Sequence, residues 1–273
     1  MQDEAFMDKA FWWVAAAVVV VIVGAGYYYY RTHHAPPPPP VAQGPLPAPA
    51  PAPEPAIQHP IPAEAATDTV APPPLEDSDV PVRTALLGVL GDKTVSAFLV
   101  PKDIIRHLVV TVDNLPRKKV AVELRPVKPT PGATATSGTE DTLILAPQNY
   151  ERYAPFVQAL HAADAKQLTR IYFHFYPLFQ QAYENLGYPS QYFNDRLIAV
   201  IDDMLKAPDV QGPIALVQPR VFYEYKDRDL EGRSAGQKLL IRMGPANAAV
   251  VKEKLRELRA ALLEHEKSTG KHG

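Results

Sequence analysis

The sequence predicts a mainly α fold (α+β with a minor β element), in which one helical domain follows a transmembrane helix and a proline-rich linker. Residues 11–30 form an uncharged apolar run, more than half of the 30 prolines lie between Pro36 and Pro74, and later apolar residues recur at helical spacing. The predicted segments are a short cytoplasmic tail (1–10), a transmembrane helix (11–30), a linker (31–74), the globular domain (75–263) and a flexible tail (264–273).

The run from Phe11 to Tyr30 is long enough to cross a membrane. It contains 20 residues without a charge, and about 20 apolar residues in a helix span a hydrocarbon core of roughly 30 Å. A cleaved signal peptide and a buried helix of a soluble domain are the alternatives. A signal peptide needs a basic start, whereas Asp3, Glu4 and Asp8 precede this run, and an unbroken apolar run of this length beside a proline tract is unlike a core helix. Aromatic residues at both ends are typical of anchors at membrane interfaces: Trp12, Trp13, Tyr27, Tyr28, Tyr29 and Tyr30.

The stretch from Ala35 to Pro74 has almost no side chains able to form a core. Such sequences favour polyproline II, at about 3.1 Å per residue, and we interpret this one as a spacer. A ligand for aromatic-lined grooves is the alternative, but no basic residue flanks these prolines to fix a register. A short tail, one span and a long spacer are a common plan of bacterial envelope proteins. We therefore expect a single-pass inner-membrane protein with a periplasmic carboxyl-terminal domain.

Composition argues against several classes of function. The net charge of −2 does not favour a nucleic-acid binder, and the lack of cysteine excludes disulfides and cysteine-based metal or redox sites. There is no glycine-rich phosphate loop, nucleophile elbow or HExxH motif. His107, His161 and His174 share no common spacing. We therefore expect no metal and no cofactor.

The first half of the domain should contain helices and one small sheet. Ser78 or Asp79 is placed to cap a first helix, and a second should run from Pro101 to Asn114. The basic residues 117–119 are interpreted as a solvated turn. Alternation over 120–125 predicts a strand that pairs with residues 142–145, and a helix should follow over 148–165.

Residues 164–205 predict an αα-hairpin, around which the domain is expected to fold. Asp164 and Gln167 form a capping box at its start, and Ser190 is placed to cap the second helix after a turn that begins at Gly187. Pro177 lies inside the first helical pattern and predicts a kink or a break near residues 175–176. Many aromatic residues share one face, and each buries roughly 150–250 Å².

The last third should contain an extended segment and two helices. Residues 221–226 alternate, but Pro213 and Pro219 restrict the segment 213–227 to an edge strand or an extended arm. Ser234 and Gln237 form a capping box for a short helix that ends at Gly244. The final helix begins at Pro245 and places lysines and arginines opposite its apolar face. Its few heptads favour packing on the domain's own core over a coiled-coil dimer, and the oligomeric state is left open.

Polar residues at the hairpin tip form the first candidate binding surface: Tyr188, Tyr192, Asn194, Asp195 and Arg196. Free backbone amides at a helix start would suit an anionic group or a peptide terminus. The simpler interpretation is a capped turn in which Asp195 complements the helix dipole and pairs with Arg196 or another arginine. Tyr223 and Glu224 form either a partner site on an edge strand or, more simply, part of a half-buried strand.

Four segments carry a resemblance to a known family: PLEDSDVPVRTALLG, TVDNLPRKKV, YPLFQQAYENLGYPSQYFNDRLIAVIDDML and SAGQKLLIRMGPANAAVVKEKLRELR. They resemble a bacterial family known as domain of unknown function number 3014. The resemblance covers residues 75–263. It implies an amino-terminal span and a proline-rich linker, and it supplies no activity, cofactor or catalytic residue.

Two hypotheses about function follow. The first is a non-catalytic envelope module, tethered to the inner membrane, that binds another protein or cell-wall material. The alternative is a peptidoglycan hydrolase or transferase in which Glu151, Asp195 and Glu224 supply an acid and a base. That chemistry needs two carboxyl groups about 5–10 Å apart. The absence of a catalytic motif favours the first hypothesis.

Overall fold

The computed structural model of this chain describes residues 56–61 and 71–269, with backbone alone at residues 140 and 265–269. All of them belong to one compact unit of the chain. The expected membrane anchor (11–30) and most of the expected linker lie outside these residues. Within the described part, no helix combines the length and the apolar character needed to cross a membrane.

Helices dominate the described residues, which confirms the mainly α prediction. There are eleven α-helices and three 3₁₀ turns among them. The α-helices are, in chain order, α1 (Asp79–Leu90), α2 (Asp92–Phe98), α3 (Ile104–Asn114), α4 (Gln148–Glu151), α5 (Ala154–Ala162), α6 (Ala165–His174), α7 (Tyr176–Asn185), α8 (Phe193–Leu205), α9 (Arg228–Glu231), α10 (Ala235–Met243) and α11 (Pro245–Thr269).

The β structure consists of two short antiparallel pairs. Strand β1 (Thr136–Ser137) pairs with β2 (Ile144–Leu145), and β3 (Leu216–Val217) pairs with β4 (Glu224–Tyr225). An isolated bridge between Ile144 and Ala215 connects the two pairs. The segment 213–227, predicted as an edge strand or an extended arm, therefore forms a hairpin.

The prediction of a strand over residues 120–125 is wrong. Residues Val122–Leu124 form a 3₁₀ turn, and both apolar side chains at its ends are exposed. A two-residue period produces a strand only when one face is buried, and the face that carries Val122 and Leu124 is exposed. The bridge to a neighbouring segment lies farther on, between Val127 and Leu99. Strand β2, the expected partner, pairs with β1 instead.

The break predicted by Pro177 is confirmed. Helix α6 ends at His174 and α7 begins at Tyr176, with Phe175 between them. Pro177 therefore lies in the first turn of α7, where a residue without an amide hydrogen loses no helical bond. Phe175 is buried at the corner. The break removes the cost of about 3 kcal/mol that proline brings to a helix interior.

Side-chain caps agree with the sequence at two of the predicted positions. Asp164 accepts a hydrogen bond from Gln167 N at 2.8 Å, and Ser234 Oγ accepts one from Gln237 N at 3.2 Å. Asp79 does not cap its own helix. Its carboxylate accepts from the amides of Asp103 and Ile104, at 2.8 Å each, and so caps α3.

Helix α8 lies at the centre of the domain. It packs against α3 and α7 on one side and against α10 and α11 on the other. Phe193 and Tyr183 lie in the core formed with α3, whereas Met204 and Val200 lie in the core formed with α10 and α11. The start of α8 therefore lies at the edge of the first core, close to solvent.

Helix α11 differs from the prediction on its polar face. Lys252 and Lys254 were expected in solvent, but both are buried. Lys252 Nζ donates to the carbonyl of Ala207 at 2.7 Å, and Lys254 Nζ donates to that of Ala163 at 2.8 Å. Each carbonyl lies just after the end of a helix, where a cation satisfies free acceptors and complements the helix dipole.

Gly244, between α10 and α11, provides a test of this packing. Its φ is +83°, and an added Cβ would lie 2.5 Å from Tyr150 Cγ. Gly244→Ala is expected to lower the free energy of unfolding by about 2 kcal/mol in urea denaturation, through backbone strain and overpacking together.

Gly212→Ala is the matched control, because Gly212 has the same φ of +83° and open space around its added Cβ. It should lower the free energy of unfolding by about 1 kcal/mol, from backbone strain alone. An equal decrease in the free energy of unfolding for the two variants would show that the Tyr150 ring moves aside without destabilising the fold.

Candidate functional site

The candidate site lies at the start of α8. Ser190, expected to cap this helix, does not; the preceding residue is Tyr192, whose side chain makes no cap. The amide of Phe193 instead donates to Gln180 Oε1 on α7 at 2.9 Å. A glutamine from the neighbouring helix satisfies the first free amide, so the side chains of Asn194 and Asp195 are available for other contacts.

These two side chains bind the backbone of residues 58 and 59. Asp195 Oδ1 accepts from His59 N at 2.7 Å, and Asp195 Oδ2 accepts from Gln58 N at 3.1 Å. Asn194 Nδ2 donates to the carbonyl of His59 at 2.8 Å. Residues 58 and 59 were assigned to the linker by the sequence, yet they lie on the domain. The carboxylate and the amide together satisfy three backbone groups of the bound segment.

A hydrogen bond from a tyrosine orients the side chain of Asn194. Its side chain is only 2% exposed, and Tyr172 OH donates to Asn194 Oδ1 at 3.1 Å. Burial raises the pKa of Tyr172 well above its ordinary value, and burial raises the pKa of Tyr176 on the same face to about 12. Both phenols are therefore neutral at physiological pH, and Tyr172 can act as a donor that orients the asparagine amide.

An apolar contact by Ile61 adds to the hydrogen bonds that residues 58 and 59 make. Ile61 packs against a buried cluster from α6, α8 and α11 that consists of Phe173, Ile198, Ile201 and Leu262. The side chain of Gln58 is exposed. We call these four apolar residues, together with Asn194 and Asp195, the docking surface. It binds the backbone at residues 58 and 59 and a side chain at residue 61.

A buried carboxylate lies beside the docking surface. Asp113 is 3% exposed, and its Oδ2 accepts from Arg117 Nη2 at 2.6 Å while its Oδ1 pairs with Arg196 Nη2 at 3.1 Å. Arg196 Nη2 also donates to the carbonyl of Asp113 at 2.6 Å. Tyr188 OH accepts from Arg117 at 2.7 Å. We call these four residues the Asp113 network.

The network corrects one prediction. Asp195 was expected to pair with an arginine, but its carboxylate binds backbone amides, and Arg196 pairs with Asp113. The solvated turn predicted at residues 117–119 is confirmed, since all three residues are exposed, and the Arg117 side chain also binds Asp113. The negative charge of Asp113 raises the pKa of the Arg117 guanidinium further above its ordinary value, and the side chain joins two elements. Among the described residues, Arg196 Nε has no hydrogen-bond partner.

Residues 104–259, more than half of the chain, match the model of the family described as Protein of unknown function (DUF3014). The chain belongs to this family. The matched range is shorter than the resemblance over 75–263. It includes the Asp113 network and most of the docking surface, but it does not include residues 56–61. No curated protein and no solved structure matches the chain.

The other predicted site residues lie elsewhere in the DUF3014 domain. Glu224 is exposed on β4, and Tyr223 is half-buried beside a pocket of about 350 Å³. Val221 and Phe222 are exposed at the tip of this hairpin. Glu151 ends α4 and is exposed. None of the hydrogen bonds or ion pairs between described residues joins any two of the carboxylates of Glu151, Asp195 and Glu224.

Sequence reasoning identified Asn194 and Asp195 but missed Asp113. One signal was present, because Asp113 follows the apolar face of α3 at four residues from Val109 and precedes Arg117 by four. A carboxylate on an apolar stripe with a cation at i+4 indicates a buried pair. The contact with residues 58 and 59 spans more than 130 positions, and no local pattern predicts it.

Proposed function

We propose that this DUF3014 protein is a non-catalytic binding module of the bacterial envelope. In this proposal residues 11–30 anchor it in the inner membrane, the domain lies in the periplasm, and it binds another envelope protein or cell-wall material. One observation carries the proposal: Asn194 and Asp195 bind the backbone of residues 58 and 59 through three hydrogen bonds. A surface that binds a peptide backbone has the chemistry of a recognition site.

The contacts of Asp195 support binding rather than catalysis. Each of its oxygens accepts a hydrogen bond from a backbone amide. A general base must instead contact the proton that it removes. The neighbouring arginine does not neutralise or orient it, because Arg196 pairs with Asp113. The carboxylate therefore acts as an acceptor for peptide amides.

Site-specific photo-crosslinking in cells tests the proposal. A photoreactive phenylalanine analogue at Tyr192, on the rim of the docking surface, should crosslink the full-length chain to a discrete envelope partner. The same analogue at Lys93, an exposed residue of α2, is the control. Asp195→Ala should lower the yield at position 192. Equal crosslinking at both positions, or a yield that Asp195→Ala does not change, would contradict binding at this surface.

The cellular location has its own test. Reporter enzymes that work on only one side of the membrane can be fused after Gly273. A periplasmic signal is expected. A cytoplasmic signal would reject the envelope part of the proposal and leave the binding part to be tested with cytosolic partners.

A further inference from the structure

The segment bound at the docking surface indicates what else would bind there. We propose that the docking surface is a receptor for bent peptides of the pattern x-x-Pro-Φ, in which Φ is an apolar residue, and that residues 58–61 occupy it in cis until such a peptide of a partner protein displaces them. This inference rests on the proposed binding function and specifies the chemistry of the partner and the regulation of the site.

The bend is required by the contacts of Asp195. In an extended strand, successive amides point in opposite directions. Here the amides of Gln58 and His59 both reach one carboxylate, and the backbone bends at these two residues. Two successive amides turned to one side form an anion-binding concavity. The ligand must therefore have free amides at both x positions, so proline is excluded there.

Proline is favoured at the third position. Pro60 follows the last residue whose backbone is hydrogen-bonded, and it has no amide that would need a partner. The side chain of Gln58 is exposed. Its identity is therefore not recognised, and the first x position is unrestricted apart from proline.

The fourth position needs an apolar side chain. Ile61 packs against the apolar part of the docking surface, which three helices form together. An aliphatic side chain that loses its exposure to water contributes roughly 25 cal/mol per Å² of buried apolar area. A charged residue would lose hydration there without a partner. Backbone contacts at two residues and an apolar contact at a third together define the pattern.

Occupancy in cis makes the site self-regulated. Residues 58–61 belong to the same chain, so they compete with a free peptide at an effective concentration on the order of millimolar. A peptide of equal intrinsic affinity is then bound only weakly. Weakening the cis segment should expose the surface and raise the apparent affinity for a peptide added in trans.

The experiment uses the full-length chain and a fluorescein-labelled peptide of residues 55–63, titrated by fluorescence anisotropy. Gln58→Pro removes one amide that Asp195 binds, whereas Gln58→Ala keeps that amide and changes only an exposed side chain. The Gln58→Pro chain should bind the peptide at least about tenfold more tightly than the wild type, since one hydrogen bond to a charged group is lost from the cis competitor. The Gln58→Ala chain should bind like the wild type.

Two further measurements complete the test. Adding Asp195→Ala to the Gln58→Pro chain should abolish the gain in affinity, and a thermal melt checks that this chain is folded. Independently of any added peptide, the amides of Gln58 and His59 should be protected from hydrogen exchange in the wild type and lose that protection in Asp195→Ala.

Each negative result has a distinct meaning. Equal affinities of the Gln58→Pro and Gln58→Ala chains would overturn occupancy in cis. Absence of peptide binding by every chain, or binding by the Gln58→Pro chain that adding Asp195→Ala does not reduce, would overturn the receptor. Crosslinking at Tyr192 without peptide binding would leave the proposed function intact and reject this class of ligand. Peptide binding without crosslinking would support this class of ligand and count against the proposed envelope partner.

Discussion

Replacing Phe193 with alanine is expected to lower the free energy of unfolding by about 4 kcal/mol. Phe193 is 1% exposed and is the first residue of α8. Its ring stacks on that of Phe179 with centroids 5.6 Å apart and planes 12° apart, and it contacts Tyr183 at the same centroid distance. Removing the ring leaves a cavity between three helices that the remaining rings cannot fill without leaving their own contacts.

Phe222→Ala is the matched control for this variant. Phe222 is the same residue type and is 80% exposed, so its loss should change the free energy of unfolding by less than about 0.5 kcal/mol. Urea denaturation of both chains gives the comparison. A loss below about 1.5 kcal/mol for Phe193→Ala would mean that the start of α8 is not part of the core. Phe193 precedes Asn194, so the variant should also weaken the docking surface.

The sequence predicted those parts of the fold that depend on local chemistry. Pro177 located the break between α6 and α7 because proline cannot follow an uninterrupted helical turn. Asp164 and Ser234 located two helix starts, since a short polar side chain satisfies amides only two or three residues away. Each of these signals is contained within one turn of helix, which is why it can be read without the rest of the chain.

The wrong predictions depend on which elements meet in space. The alternation over 120–125 looked like a strand, but burial of one face is decided by neighbours that the pattern does not contain. Lys252 and Lys254 looked solvated because lysine usually is, yet distant carbonyls at Ala207 and Ala163 bind their ammonium groups. A local pattern indicates whether a side chain usually lies in solvent or in the core, but the tertiary structure determines which group it contacts.

The candidate site divides in the same way. Asn194 and Asp195 were predicted because polar residues at a helix start have free amides around them. The segment that they bind was not predicted, because residues 58 and 59 lie in a proline-rich stretch whose composition indicates a spacer. Composition describes the average behaviour of such a stretch. Two free backbone amides and a carbonyl, followed by one apolar residue, Ile61, form the contacts of this stretch with the domain.

Asp113→Ala is expected to lower the free energy of unfolding by about 3 kcal/mol. The carboxylate is buried and accepts from two guanidinium groups on different elements. Removing it leaves the partly buried charge of Arg196 without its side-chain partner, and breaking a buried ion pair from one side typically costs 3–5 kcal/mol. The lower end applies here because Arg196 keeps its hydrogen bond to the carbonyl of residue 113. Urea denaturation measures the loss.

Glu76→Ala is the control, because Glu76 pairs with Arg106 at 2.9 Å on the surface, where both side chains are exposed. An exposed pair contributes about 0–1 kcal/mol. Arg196→Ala and the double variant complete a cycle that isolates the coupling between Asp113 and Arg196. A coupling energy near zero would mean that Asp113 stabilises α3 through Arg117 alone. A large coupling would show that the ion pair joins α3 to the start of α8, next to the residues that bind the backbone of residues 58 and 59.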